Sequence, residues 1–267
     1  MVTHTRLGEI EYASFGQGPA VLVSHGTGGG YDRGLFVANS LGSDSFRFIA
    51  VSRPGYLRTP LSVGKTAEEQ ADALAALLDS IGVSSAALIG VSGGAPAVLQ
   101  FALRHADRCR ALVLVSAVTQ SLPRWRPSVG DRLARRLTGN HTVVAASRRL
   151  LQTMPPAPTG GISRNPLAQF LNKVASYSSR MAGRDNDYQQ LASLPEYPLE
   201  RIACPVLMVH GTTDDEVPFT HAQSAARQIP QAELLPVPGA GHGLLFHTPE
   251  RITTRMVDFL EKHARAT

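Results

Sequence analysis

Short runs of apolar residues recur along the chain, and most are bounded by glycine, proline or polar residues. Runs of this length that carry few polar positions are typical of strands buried on both faces of a sheet. They predict strands at residues 20–24, 47–52, 86–89, 111–115, 205–209 and 232–237.

Longer stretches between these runs repeat their apolar positions with the period of a helix. The clearest predicts a helix over residues 66–81, where Thr66 supplies the N-cap and Glu69 stands three positions on. Further helices are predicted at 95–103 and 249–263. Strands that alternate with helices predict an α/β fold, with a mostly parallel sheet and helices on both of its faces.

Two regions depart from this alternation. Polar and apolar residues alternate over residues 8–15, and the turn at 16–19 that follows predicts an edge hairpin. Between residues 119 and 198, helical patterns replace strands, and a hinge rich in proline and glycine interrupts them. We expect this segment, 119–198, to be a helical cap inserted into a core domain of residues 1–118 and 199–267. The predicted helices lie at 129–137, 142–151 and 167–181, and the hinge at 155–161.

The composition is that of a folded protein with a large core, since 43% of the 267 residues are hydrophobic and 18% are charged. No apolar run approaches the roughly 20 residues of a membrane span, and the first residues lack the apolar segment of a secretory signal. Cys109 and Cys204 each stand at the entrance to an apolar strand, which favours small buried side chains over a disulfide or metal pair. We therefore expect a cytoplasmic protein with no membrane segment.

The net charge of +5 is concentrated in the predicted insertion. Residues 119–198 hold 11 Lys and Arg against 4 Asp and Glu. Such an excess can attract an anionic substrate, but arginines on the solvent faces of surface helices are the favoured interpretation. The chain has no basic run interleaved with aromatic residues, so we expect no nucleic-acid partner.

One motif carries specific chemistry. The segment 90–94 has the pattern G-x-S-x-G around Ser92, between an apolar strand and a predicted helix. A turn this tight places the serine in a strained backbone conformation, and flanking glycines remove the steric collision. The hydroxyl then projects above the sheet beside a helix N-terminus, where unpaired N–H groups stabilise a developing oxyanion.

A serine needs a base, and the base needs an acid that orients it. Candidates for both follow later strands: carboxylates at 214–216 come after the strand that ends at residue 209, and His242 comes after the strand that ends at 237. The carboxyl ends of parallel strands lie along one edge of a sheet, where sites form.

With these motifs in order, the chain resembles the α/β-hydrolase family over nearly its whole length. The resemblance implies a triad in which Ser92 attacks a carbonyl, His242 transfers the proton and Asp214 holds the imidazole. Asp214 is favoured over Asp215 and Glu216, since it stands three residues after Gly211 and three before Val217, where the family's acid falls. The matching motifs are His25-Gly26, Arg53-Pro54-Gly55-Tyr56, the segment around Ser92, Gly211 to Pro218 and Gly239 to His242.

The oxyanion hole is expected to use two backbone N–H groups. The first is that of Gly93, directly after the serine. The second comes from the loop after His25, where Thr27 is preferred over Gly28 although this loop matches neither of the family's common forms. His25 itself is expected to anchor the loop.

The function predicted from the sequence is a cofactor-free serine hydrolase of carboxylic esters or related acyl compounds, with a small-molecule substrate. No histidine pair has metal-ligand spacing, so we expect no metal. Carbon–carbon hydrolases and acyltransferases with the same triad remain alternatives, as does a sensor that only binds a small ligand. Candidates to line the pocket, or equally to form the core of the insertion, are Trp125, Met154, Tyr177 and Met181.

Overall fold

The computed structural model of the protein describes residues 1–123, 129–138, 141–154, 165–244 and 250–264. In these residues the chain forms one eight-stranded sheet in the order β1-β2-β4-β3-β5-β6-β7-β8. The first two pairings, β1 with β2 and β2 with β4, are antiparallel, and all the others are parallel. The strands are Val2–Thr5 (β1), Gly8–Phe15 (β2), Ala20–Ser24 (β3), Arg47–Val51 (β4), Ala86–Val91 (β5), Cys109–Val115 (β6), Val206–Gly211 (β7) and Ala232–Val237 (β8).

Helices cover both faces of this sheet, as predicted. In β3, Leu22 points to the face on which α2, α3 and α8 pack, whereas Val21 and Val23 point to the face on which α1 and α9 pack. Burial of both faces explains why the central strands are continuous apolar runs. The helices are Tyr31–Ser40 (α1), Ala67–Ser80 (α2), Ala95–Arg104 (α3), Val129–Thr138 (α4), His141–Thr153 (α5), Pro166–Tyr177 (α6), Met181–Leu191 (α7), Thr220–Gln228 (α8) and Glu250–His263 (α9).

Local sequence signals place the start of α2. Thr66 caps the helix by accepting a hydrogen bond from the backbone N–H of Glu69, and the Glu69 carboxylate accepts from the N–H of Thr66 in return. This is the predicted capping box, which satisfies two backbone donors that a helix start otherwise leaves unpaired.

The helices α4 to α7 lie between β6 and β7 in the chain, within the segment predicted as a cap. Tyr177 and Met181 pack with side chains of α4, α5 and α6, so both contribute to the core of this helical region. The arginines of α4 are exposed, in keeping with the solvated interpretation of the basic insertion; they are Arg132, Arg135 and Arg136. The boundaries at 119 and 198 stay a prediction, and the hinge at 155–161 and Trp125 lie outside the described residues.

Several predictions of local structure were wrong or incomplete. The edge hairpin joins β1 to β2, so the turn at 16–19 leads instead to β3, which pairs with β4 and β5. The predicted helix over 167–181 is broken by a 3₁₀ turn at Ser178–Arg180. The pattern also missed β1, α1 and α8, and Pro249 of the predicted last helix lies outside the described residues.

The two cysteines, expected to be small buried side chains and not a disulfide or metal pair, are neighbours at the starts of β6 and β7. Cys109 is buried and Cys204 is partly buried, and both are free thiols with their sulfur atoms 3.6 Å apart. Their contact raises the pKa of Cys109 well above its ordinary value, with burial acting in the same direction.

None of the described helices combines the length and the apolar character that a membrane span requires.

Candidate active site

Ser92 sits at a sharp turn between β5 and α3, with a left-handed backbone φ of 49°. Non-glycine residues rarely adopt this conformation, and where they do the surrounding structure must hold it. The glycines on either side allow the turn. A Cβ on Gly90 would lie 2.4 Å from the Val98 side chain, and one on Gly94 would lie 2.3 Å from the backbone oxygen of His25. In the folded chain, a side chain at either position would therefore collide with its neighbours, as the motif predicted.

The structure brings Ser92, His242 and Asp214 together. His242 Nε2 lies 3.0 Å from Ser92 Oγ, and His242 Nδ1 lies 2.9 Å from Asp214 Oδ2. Ser92 and Asp214 are buried, and His242 is only 19% exposed. These distances fit an Nδ1–H that donates to the carboxylate and an Nε2 that accepts the serine proton.

The loop after β7 presents Asp214, and not its neighbours, to the imidazole Nδ1. The backbone N–H groups of Glu216 and Val217 donate to Asp214 Oδ1 at 3.0 and 2.9 Å, which fixes the carboxylate inward. Asp215 is exposed. Glu216 is also exposed, with its carboxylate 3.9 Å from His242 Nε2. The geometry thus favours the acid chosen from the motif.

The electrostatics of this group keep the acid ionised and favour protonation of the imidazole beside it. Burial works against the charge of Asp214, but hydrogen bonds from His210 and His242 and from the backbone of Val217 hold its pKa well below the ordinary range. Burial would lower the pKa of His242, but its hydrogen bond and charge interaction with Asp214 outweigh burial and raise that pKa.

Sequence reasoning did not assign a second histidine to this carboxylate. His210, at the end of β7, lies with Nε2 3.3 Å from Asp214 Oδ2 and 2.9 Å from the backbone oxygen of Val217. His210 therefore packs under the loop of residues 212–217 and contacts the Asp214 carboxylate itself. Its position directly before Gly211 in the motif was the available signal.

The loop after β3 packs closely against Ser92 and Gly93. Gly26 lies against the Ser92 side chain, and the Thr27 hydroxyl lies against Gly93. Among the described residues, neither Thr27 N–H nor Gly93 N–H has a hydrogen-bond acceptor. Such a pair of free donors beside a nucleophile can stabilise an oxyanion. Gly28, the alternative to Thr27, donates its N–H to the Tyr56 hydroxyl at 3.2 Å.

His25 anchors this loop, as expected. The backbone N–H of Arg53 donates to His25 Nε2 at 3.1 Å, so Nδ1 carries the proton and donates to the oxygen of Gly26 at 2.7 Å. Burial and the nearby Arg53 charge hold the pKa of His25 well below its ordinary value. A neutral, buried imidazole with both nitrogens engaged is a structural element of the loop.

In the part of the chain that the structure describes, no group of three or more His, Cys, Asp or Glu side chains is arranged to hold a metal ion.

The chain is similar to known hydrolases along most of its length. The model of a family described as "Alpha/beta hydrolase family" matches residues 20–255. The uncharacterized hydrolase YcgS of Bacillus subtilis (strain 168) is 27% identical over 253 residues, 88% of each chain. The bifunctional esterase/perhydrolase DCH of Acinetobacter calcoaceticus is 28% identical over 234 residues, 81% of this chain and 82% of that protein.

Comparison with solved structures also finds similarity to an alpha/beta hydrolase fold protein. An alpha/beta hydrolase fold protein from Nakamurella multipartita superimposes with a TM-score of 0.78 and 32% identity, over 97% of this chain and 98% of that one. The family match, the sheet order and the serine turn together show that this chain belongs to the alpha/beta hydrolase family.

Proposed function

We propose that this protein is a serine hydrolase that cleaves carboxylic esters or related acyl compounds through Ser92, His242 and Asp214. The observation that carries the proposal is the continuous hydrogen-bonded series from the Ser92 hydroxyl through both nitrogens of His242 to the Asp214 carboxylate. The similarity to a relative named as an esterase and perhydrolase supports acyl chemistry.

The reaction follows from this arrangement. Ser92 Oγ attacks the carbonyl carbon while its proton passes to His242 Nε2, and Asp214 stabilises the imidazolium that forms. The carbonyl oxygen becomes an oxyanion that accepts hydrogen bonds from the N–H groups of Gly93 and Thr27. His242 then returns the proton to the leaving alcohol, and an acyl-enzyme on Ser92 remains. Water, deprotonated by His242, attacks the acyl carbon, and His242 then returns this proton to Ser92 Oγ as the bond to the acyl group breaks and the acid is released.

We further propose that the segment 119–198 forms a cap over the substrate pocket. Backbone hydrogen bonds join α7 and the turn before it to the loop after β4: Gly183 N–H donates to the oxygen of Gly55 at 2.8 Å, and Leu57 N–H donates to that of Ser179 at 2.6 Å. The Leu191 side chain lies close to Gly93. An apolar side chain from the insertion beside the nucleophile favours a substrate with an apolar acyl or alcohol portion.

Reaction with a fluorophosphonate probe, followed by intact mass measurement, tests the proposed nucleophile. Ser92 Oγ forms a bond to phosphorus, fluoride leaves, and the serine proton passes to His242. We expect one adduct on the wild-type protein and none on Ser92→Ala. Ser116→Ala is the matched control, because Ser116 is also a buried serine with a left-handed φ, 44°, at the end of the adjacent strand. This variant should react like wild type.

Two results would contradict the proposal. An adduct that persists in Ser92→Ala would place the nucleophile elsewhere. A folded wild-type protein that gains no adduct and hydrolyses no p-nitrophenyl ester would favour a ligand-binding sensor.

The pH dependence of turnover should reflect the raised pKa of His242. His242 must be neutral to accept the serine proton, so kcat/KM should rise with pH through a midpoint above the ordinary histidine value of about 6.5. Glu216→Gln removes a negative charge that favours the imidazolium, so the midpoint should move to lower pH. Glu200→Gln, the same change at a site that does not act on His242, should leave it in place. A midpoint that Glu216→Gln leaves unmoved would contradict this electrostatic account.

A further inference from the structure

Asp187, on α7, is a buried carboxylate that the proposed mechanism does not use. Its side chain is only 4% exposed. Its carboxylate accepts four hydrogen bonds. Two come from Arg53, which donates through Nη1 to Oδ1 at 2.9 Å and through Nη2 to Oδ2 at 2.5 Å. The Tyr56 hydroxyl donates to Oδ2 at 2.6 Å and the Thr27 hydroxyl at 2.7 Å. All three donor residues come from loops of the core and none from α7.

These donors also hold the loop that contains the proposed second oxyanion donor. Arg53 Nε donates to the backbone oxygen of His25 at 2.9 Å. The Tyr56 oxygen accepts from the N–H of Gly28 at 3.2 Å. Asp187 is therefore linked to residue 25 through the Arg53 side chain, to residue 28 through the Tyr56 side chain, and directly to the side chain of residue 27.

The charge states of the group keep these bonds in place. Burial works against the charge of Arg53, but Asp187 and Tyr56 outweigh it and raise the pKa of Arg53 above its ordinary value. Burial, and after it the Asp187 charge, raises the pKa of Tyr56 well above the ordinary range, so its hydroxyl stays protonated and donates. A bidentate ion pair of this kind fixes the relative orientation of the Arg53 and Asp187 side chains as well as the distance between them.

We propose that Asp187 is a positioning residue for the oxyanion hole, acting through the Thr27 hydroxyl. That hydroxyl lies between the Asp187 carboxylate and Gly93. The bond to Asp187 anchors the Thr27 side chain to α7, and this anchor holds in place the backbone segment that carries the free N–H of Thr27 beside Ser92. The hole is then complete only when α7 is docked on the core. This inference rests on the proposed hydrolase function.

The adjacent residue on α7 offers a matched control. Asn186 is also buried, and its side-chain amide donates to the backbone oxygen of Lys65 at 2.8 Å. Asn186 and Asp187 therefore both anchor α7 to the core. Of the two, only Asp187 contacts the loop of residues 25–28, which carries the proposed second oxyanion donor and is called the oxyanion loop below. If both residues only anchor α7, replacing either one should affect catalysis equally. If Asp187 also positions the oxyanion donor, replacing Asp187 should lower activity and replacing Asn186 should not.

The first test compares Asp187→Asn with Asn186→Ala in p-nitrophenyl acetate hydrolysis and in thermal unfolding. Asp187→Asn removes the carboxylate charge and replaces one acceptor oxygen by an NH₂ that faces an Arg53 donor, which loosens the group that holds Thr27. It should lower kcat by about 100-fold with KM little changed, since a misplaced oxyanion donor costs transition-state stabilisation alone. Asn186→Ala should lower the melting temperature but keep kcat close to wild type. Equal losses of kcat in both variants, or none in Asp187→Asn, would overturn the proposal.

Thr27 variants test the same link while the Arg53–Asp187 pair stays intact, should Asp187→Asn fail to fold. Thr27→Val removes the hydroxyl and keeps the backbone N–H, and should lower kcat by about 10-fold. Thr27→Ser restores the hydroxyl and should recover most of that loss. A Thr27→Val enzyme as active as wild type would overturn the proposal.

Hydrogen–deuterium exchange separates this inference from the proposed function. Gly28 and Gly29 donate their N–H groups to Tyr56 and Gly26. These amides should exchange faster in Asp187→Asn and Thr27→Val than in Asn186→Ala. A wild-type protein that hydrolyses no ester would refute the hydrolase, whereas unchanged exchange in Asp187→Asn would refute the positioning role whether or not the enzyme is active.

Discussion

Replacing Asp214 with asparagine is expected to lower kcat for ester hydrolysis by about 10⁴-fold without unfolding the protein. The imidazole Nδ1–H donates to the Asp214 carboxylate at 2.9 Å. An asparagine that presents its NH₂ to Nδ1 forces the other tautomer, which puts the proton on the nitrogen that must accept from Ser92. It also removes the charge that stabilises the imidazolium. Steady-state kinetics, with circular dichroism to verify folding, measure this effect.

Asp215→Asn is the matched control for Asp214→Asn, because it makes the same chemical change one residue along the loop. Asp215 is exposed, whereas the Asp214 side chain is buried. We expect Asp215→Asn to keep nearly full activity. Full activity in Asp214→Asn, or a large loss in Asp215→Asn alone, would show that the acid had been assigned to the wrong residue.

Gly94→Ala is expected to destabilise the protein by about 3 kcal/mol, which lowers the melting temperature by about 10 °C for a chain of this size. The added Cβ would lie 2.3 Å from the backbone oxygen of His25 and 2.7 Å from that of Ser24. Backbone oxygens at the end of a central strand cannot move as a flexible side chain can, so α3 must shift away from β3. The same shift separates Ser92 from the oxyanion loop, and kcat should fall too. Differential scanning calorimetry and ester kinetics measure the two effects.

Gly42→Ala separates a steric clash from the loss of a glycine's conformational freedom. Gly42 has a φ of +60° and nothing within 4 Å of its added Cβ. An alanine there should cost about 1 kcal/mol through backbone strain alone and leave kcat unchanged. If Gly94→Ala costs no more than Gly42→Ala, close packing of the serine turn against β3 is not what requires the glycine.

The α/β architecture and the meeting of Ser92, Asp214 and His242 could be predicted because their signals are local. Each of these residues stands in the loop or turn that follows a strand of apolar residues, and parallel strands bring their carboxyl ends to one edge of the sheet. The choice of Asp214 used its spacing from Gly211 and Val217, which matches the position of the acid in the family that the sequence resembles. The distances between the three side chains could not be predicted, since they depend on loop conformations after β7 and β8.

The pairing of Arg53 with Asp187, which supports the loop of residues 25–28, had no local signal. The two residues are 134 positions apart in sequence, and although Arg53 lies in a motif, nothing near it in the sequence indicates Asp187 as its partner. Their burial, at 2% and 4% side-chain exposure, depends on how α7 docks on the core. A single sequence offers no period or spacing that pairs them.

Tertiary contacts also explain the misplaced helix boundary. The apolar period runs through residues 167–181 without interruption, yet the chain tightens into a 3₁₀ turn at Ser178–Arg180. The backbone oxygen of Ser179 accepts a hydrogen bond from Leu57 N–H, which comes from a loop of the core. A bond from outside the helix to one of its carbonyls favours such a local break.

The order of the strands determines when the reactive centre is complete during synthesis. The serine turn and both proposed oxyanion donors lie in the first 94 residues, whereas Asp214 and His242 follow the last two strands of the sheet. The amino-terminal part of the chain emerges from the ribosome first. Under the proposed mechanism, a nascent or prematurely terminated chain that ends before β7 carries the nucleophile without its acid or base. Hydrolysis therefore begins only after β7, β8 and the loops that follow them have been made and these strands have joined the sheet.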